Sequence, residues 1–187
     1  MGIADVRFEL LADRVSYKDK PKPDQKEMSR IRWRLSQPNA RVCIDIECLE
    51  RGIRGGYTLL PGICVGGTKL DDWTGQQLFF VDFDDDDDMK LRGYDVLDPL
   101  DALDRAYDKK LDPLFLYFSA KATVEPWNPR YRIVFGFDHV ITDRKQAEAV
   151  GDALMRVFPE ADQSSCQLNR MFLCPGKEVW PCWRSMS

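Results

Sequence analysis

The sequence contains a single histidine, His139, and nowhere a run of apolar residues long enough to span a bilayer. One imidazole is all that a mixed Cys/His zinc site could draw on. Six cysteines are present, but their spacing supports neither a metal knuckle nor a disulfide framework. Four residues separate Cys43 from Cys48, where a zinc knuckle wants Cys-x₂-Cys or a near variant. Cys166, Cys174 and Cys182 are evenly spaced without a partner set, so reduced, structural thiols are expected. No GxxxxGK[ST] phosphate loop occurs. Met1-Gly2-Ile3-Ala4-Asp5 lacks a signal-peptide pattern, and the expectation is a cytoplasmic protein with no membrane partner. A net charge of −4 and a pI near 5.1 exclude a general nucleic-acid-coating protein.

What is present is a chain of 187 residues with 44% hydrophobic content, enough for one domain with a sizeable core. The charge is unevenly placed. Residues 14–34 hold eight Lys/Arg against three Asp/Glu, whereas residues 82–112 hold twelve acids against five bases. A basic arm beside an acidic half can guide a polyanion, although a solvated linker accounts for the arm equally well.

The densest signal is Phe79-Phe80-Val81-Asp82-Phe83-Asp84, an apolar run ending in two carboxylates two residues apart. Successive strand side chains alternate faces, so Asp82 and Asp84 share one face and Phe83 takes the other. Paired carboxylates at the end of a buried strand need cations, and their oxygens suit Mg²⁺ or Mn²⁺ with substrate phosphates. The plain alternative is a strand running into an acidic loop. Asp85–Asp88 reads as solvated, because a Mg²⁺ site cannot use so many carboxylates.

The spacing predicts a linker over 18–26 and a half-buried strand in which Ile31, Trp33 and Leu35 alternate with Arg30, Arg32 and Arg34. A helix is predicted from Ile44 to Ile53, stopped by Gly55-Gly56. An extended segment from Tyr57 to Val65, broken at Pro61-Gly62, follows. Strands are expected over 78–84, 114–121, 130–137 and 170–174, with helices over 98–109 and 143–158. Asp143 with Gln146 opens the second of these helices as a capping box.

The order β-α-β-β-α-β is the split-βαβ, RRM-like arrangement, an α+β fold. Right-handed crossovers then imply spatial order 4-1-3-2. That order brings Asp82/Asp84, Ser119/Lys121, Arg130/Arg132 and the Asp162–Arg170 stretch to one rim. Asp162 becomes a candidate third carboxylate of a two-metal site, or else an acid in a helix-to-strand loop. Arg130 and Arg132 either supply cations for a triphosphate, with Lys121 a further one, or line a solvent-facing strand edge, and Arg170 either joins them or pairs with Asp162. His139 is placed in a turn, and Trp73, Trp127, Trp180 and Trp183 are assigned to packing.

Taken in order, these motifs resemble the archaeo-eukaryotic primase superfamily, which includes primase-polymerases of plasmids, phages and other mobile elements. The resemblance rests on Val81-Asp82-Phe83-Asp84 as the DxD motif and Ala161-Asp162 as the late hydrophobic-Asp motif. Further matches are Gly56-Tyr57-Thr58, Pro61-Gly62, Pro129-Arg130-Tyr131-Arg132 and Asn169-Arg170-Met171-Phe172. It covers roughly residues 28–176 as the catalytic domain, with an N-terminal segment and basic linker over 1–27 and a tail over 177–187. Ser119-Ala120-Lys121 occupies the sxH motif with lysine in place of histidine.

The resemblance implies an RRM-like catalytic core with an N-terminal α/β elaboration. It also implies template-directed transfer of a nucleotide from NTP or dNTP to a 3′-hydroxyl on single-stranded DNA with a primer, with unwinding left to a helicase on another chain or in a region absent here. Asp82, Asp84 and Asp162 would hold two Mg²⁺ or Mn²⁺ ions; Ser119, Lys121, Arg130, Arg132 and Arg170 would hold the nucleotide. Two other readings use the same residues: a metal-dependent nuclease and a non-catalytic single-strand-binding replication module.

Overall fold

The computed structural model describes residues 3–18, 25–84, 93, 95–119, 122, 129–174 and 176–186. Among them the chain is α+β, with two antiparallel sheets and four α-helices. The first sheet runs β2 (Arg41–Ile44), β1 (Phe8–Ser16), β3 (Tyr57–Leu60), β8 (Phe172–Leu173). The second runs β4 (Gly62–Cys64), β5 (Trp73–Phe83), β7 (Tyr131–Ile141), β6 (Pro113–Ser119), β9 (Gly176–Pro181). The helices are α1 (Gln25–Leu35), α2 (Ile46–Arg54), α3 (Pro99–Asp108) and α4 (Arg144–Val157). None of these helices is long and apolar enough to cross a membrane.

Strand β5 lies between β4 and β7 and is buried on both faces, which its near-continuous apolar run requires. Phe79, Val81 and Phe83 share a core with Ala102 and Ala106 of α3, Leu154 of α4, and Phe158. The Phe83 ring stacks on Tyr131 at 4.5 Å and meets Phe158 edge-on at 5.6 Å. Leu78 and Phe80 face the other way, into a core with Phe8, Leu10, Leu49 and Phe172. Asp82 continues this second face, so its carboxylate points away from α3 and α4 and toward the first sheet.

Helix α2 starts at Ile46, two residues later than expected because Ile44 ends β2, where Asp45 accepts a hydrogen bond from the Cys48 N–H at 2.7 Å; it stops at Gly55, as the Gly55-Gly56 signal indicates. Gly56 follows with φ +78, and a side chain there would collide with the Tyr17 carbonyl. Asp143 likewise caps α4 by accepting from the Gln146 N–H at 3.0 Å.

Two expectations are corrected. Residues 30–35 form not a strand but the second half of α1. Met28, Ile31 and Leu35 recur at i, i+3 and i+7 and make a helical stripe, with Ile31 and Leu35 fully buried. Trp33, placed on the same strand face as these two, is instead 65% exposed. The helix is tied to β1 by Arg34, which holds the buried Asp13 carboxylate through two bonds of 2.6 and 2.7 Å.

The second correction concerns strand order. The β5-α3-β6-β7-α4 series gives the order β5-β7-β6, matching three strands of the expected 4-1-3-2. The strand beside β5 is β4, however, while β8 pairs with β3 in the first sheet. Pro61 explains the exchange: it breaks one extended stretch into β3 and β4, which pair in different sheets, and β8 follows β3. Residues 176–181 add β9 along β6, so this part of the C-terminal stretch packs back on the core.

Candidate functional site

The end of β5 meets the start of β7 in antiparallel register, Asp82 opposite Arg132 and Phe83 opposite Tyr131. On the other side of β7, Arg132 is opposite Tyr117 of β6. The Ser119 N–H donates to the Arg130 carbonyl at 2.8 Å, which fixes the end of β6 beside the start of β7. The loop after α4 is anchored to the same place, since the Asp162 N–H donates to the Asp82 carbonyl at 2.9 Å. Strand register and these two backbone bonds therefore gather Asp82, Asp84, Arg130, Arg132, Ser119 and Asp162.

Asp82 is 5% exposed. Its Oδ2 accepts from Arg132 Nη2 at 3.1 Å, and Arg170 Nη2 stands 3.5 Å from the same oxygen. Arg132 Nε sits 2.9 Å from Oδ1 outside hydrogen-bonding alignment, so that contact is electrostatic. The remaining Arg132 nitrogen donates to the Leu173 carbonyl at 2.9 Å. The guanidinium also lies 5.6 Å from the Tyr117 ring centre and 5.5 Å from that of Phe172. Burial opposes the charge on Arg132, but the adjacent Asp82, together with Tyr117 and Cys174, outweighs it and holds the pKa well above the ordinary guanidinium value. Burial also drives the Tyr117 phenol well above its ordinary value.

Arg170 joins the two acidic motifs. Its Nη2 lies 2.7 Å from Asp162 Oδ2 while also approaching Asp82, and its Nη1 donates to the Ser164 hydroxyl. Asp162 Oδ1 accepts from the Ser164 N–H and hydroxyl, both at 2.8 Å. Asp84 completes the set, its Oδ1 lying 2.7 Å from Arg130 Nη1. Three carboxylates thus face three guanidiniums, a balanced arrangement that permits this much charge beneath the surface.

Of the expected site residues, Asp82, Asp84, Asp162, Arg130, Arg132 and Arg170 come together, and Ser119 stands beside them through its backbone. Lys121 lies outside the described residues, as do Asp85–Asp88 and Trp127. Among the described residues no three His, Cys, Asp or Glu side chains form a metal-holding group. His139, expected in a turn, stands instead within β7 near its far end, because that strand runs on to Ile141; it is exposed and 2.6 Å from Asp138. All six cysteines are free, and burial pushes the Cys174 thiol to about 11. Ser164 and Phe172 are contacts the sequence reading missed. Serine two residues after an acid is the one available signal for the first, as an Asx-type turn.

Asp162 gives this site a measurable acid dependence. Burial pushes its carboxyl upward, but hydrogen bonds from Ser164 and the Arg170 charge outweigh burial and hold it below the usual range. A depressed folded pKa stabilises the protein above the unfolded carboxylate value of about 4, and that contribution is lost as pH falls through the folded value. Asp162→Asn should therefore differ most from wild type at neutral pH, the two converging in acid. Urea unfolding measured from neutral pH to about pH 3 checks this; a gap that widens in acid refutes it.

Comparison with protein-family models, curated proteins and solved structures gives no match.

Proposed function

We propose that this chain is a metal-dependent primase-polymerase, adding nucleotides from NTP or dNTP to a 3′-hydroxyl on a single-stranded DNA template. The observation that carries the reading is the backbone bond between Asp162 and Asp82, with Arg170 spanning both carboxylates. The RRM-like core and the superfamily assignment belong to the same proposal, supported by the β5-β7-β6 order and the rim it creates.

The donor set fits Mg²⁺ or Mn²⁺ in kind, since Asp82, Asp84 and Asp162 offer only hard oxygen ligands. Their oxygens are engaged by arginines and Ser164, so ligation requires the arginines to turn elsewhere. A triphosphate supplies that alternative, because guanidinium groups bind phosphate oxygens as readily as carboxylates. When bound, the ions would polarise the α-phosphate and activate the attacking 3′-hydroxyl. Arg170 and Arg130, both partly exposed, would transfer to the phosphates, and Ser119 would orient them. Arg132 is more enclosed, with an 11% exposed side chain, and would hold Asp82 in place.

The test is primer synthesis and extension on single-stranded DNA with Mg²⁺ or Mn²⁺. Wild type should incorporate nucleotide, and Asp84→Ala should not. Template binding without any incorporation by wild type overturns the polymerase reading. The arginine pairing of all three carboxylates favours one alternative, a non-catalytic single-strand-binding module. For that protein, DNA binding is indifferent to divalent metal and to Asp84→Ala.

A further inference from the structure

The correction at α1 exposes a surface that the sequence pattern concealed. Lys26, Arg30 and Trp33 stand at i, i+4 and i+7 on one face of the helix, and all three are exposed. Trp33, at 65%, has the largest exposed fraction among the exposed large hydrophobics of the described residues. Arg32 is exposed beside it. The acid nearest in sequence, Glu27, is directed inward, where it accepts from the Tyr17 hydroxyl at 2.5 Å, although Arg30 reaches it at 3.3 Å.

We infer that this face of α1 binds single-stranded nucleic acid, with Trp33 stacking on a base and Lys26 and Arg30 meeting the phosphates. The face is cationic in a chain of net charge −4, so a polyanion is drawn here and repelled by the acidic stretch over 82–112. An exposed indole costs solvation unless something covers it, and unpaired bases offer a π-face that duplex bases withhold. Arg34 and the buried Ile31 and Leu35 lock the helix against β1, so the face is presented rigidly. The same anchoring argues against a membrane. The apolar stripe of α1 is already buried, leaving one aromatic side chain to insert.

In the proposed reaction this surface supplies a template contact, and it rests on that reading for its purpose but not for its binding. The test uses a fluorescein-labelled oligothymidylate of about 20 nucleotides, followed by anisotropy across a salt series. Trp33→Ala should weaken binding about tenfold. Lys26→Glu with Arg30→Glu should weaken it further and flatten the salt dependence. Trp33 points to solvent, so Trp33→Ala should leave the thermal midpoint unchanged, and the double variant should lower it only by the loss of the exposed Arg30–Glu27 pair. Wild-type affinity in both variants overturns the inference. So does a preference for duplex, or a Trp33→Ala defect confined to anionic phospholipid vesicles. Incorporation is scored separately. Variants that lose DNA binding uphold this surface even where wild type polymerises nothing; variants that bind normally overturn it even where wild type polymerises well.

Discussion

Asp82→Ala should cost the fold about 3–5 kcal/mol, far more than loss of a surface acid, because it leaves a buried guanidinium without its counter-charge. Arg132 would remain enclosed by Tyr117, Phe172 and the Leu173 carbonyl, with only the neutral Leu173 carbonyl and Tyr117 hydroxyl to accept from it. Asp84→Ala removes a side chain that is 35% exposed and faces a partly exposed Arg130, and should change stability by less than about 1 kcal/mol. Under the proposed chemistry both variants lose nucleotide transfer completely. Stability and activity therefore separate at Asp84 and fall together at Asp82. Urea unfolding of the two variants reads the difference directly. Replacing Asp82 and Arg132 together by leucine and methionine should recover most of the loss, since removing both charges also removes the desolvation they impose. Equal destabilisation by the two single variants would show that Asp82 is not the buried partner described above.

The second large effect is expected at Gly62, the residue after the Pro61 break. A Cβ there would lie 2.0 Å from the Leu168 carbonyl oxygen and 3.0 Å from Trp73 Cδ1. The first contact is with backbone, which cannot rotate aside, so the 162–170 segment must shift bodily. Gly62→Ala should destabilise by about 1–3 kcal/mol. It should also draw Arg170 and Asp162 away from Asp82, abolishing transfer although no site residue is altered. Gly52→Ala, inside α2 with nothing within 4 Å of the added carbon, is the control and should stabilise by about 0.5–1 kcal/mol. A Gly62→Ala protein with wild-type activity would mean that the segment's placement does not govern the site.

The legible part of the site came from two periodicities. Alternation along β5 and β7 put Asp82 with Asp84 and Arg130 with Arg132, and the strand order brought those pairs to a common rim. Asp162 could be placed because it directly follows α4, whose cap and apolar stripe are strong signals. Misreadings arose where a pattern was short. Ile31-Trp33-Leu35 satisfies a period of two, while Ile31 and Leu35 alone satisfy i, i+4; only Met28, three residues earlier, decides for the helix. Phe172-Leu173 was too brief to reveal its neighbour, and its transfer to the first sheet depends on Pro61, far away in sequence. The arginine network was half visible. Charge complementarity suggested Arg170 with Asp162, but no local pattern indicates that one guanidinium spans two acidic motifs.

The two-sided burial of β5 assigns different mobility to the two halves of the site. Asp82 and Arg132 are embedded between cores that must both loosen before either can move, so their amides should be among the slowest to exchange with solvent. Asp162, Ser164 and Arg170 sit on an irregular segment against that fixed strand and are only partly covered. Under the proposed function the rearrangement that admits a ligand is therefore supplied by residues 162–170 and the Arg130 side chain, while β5 stays still as the reference against which they realign.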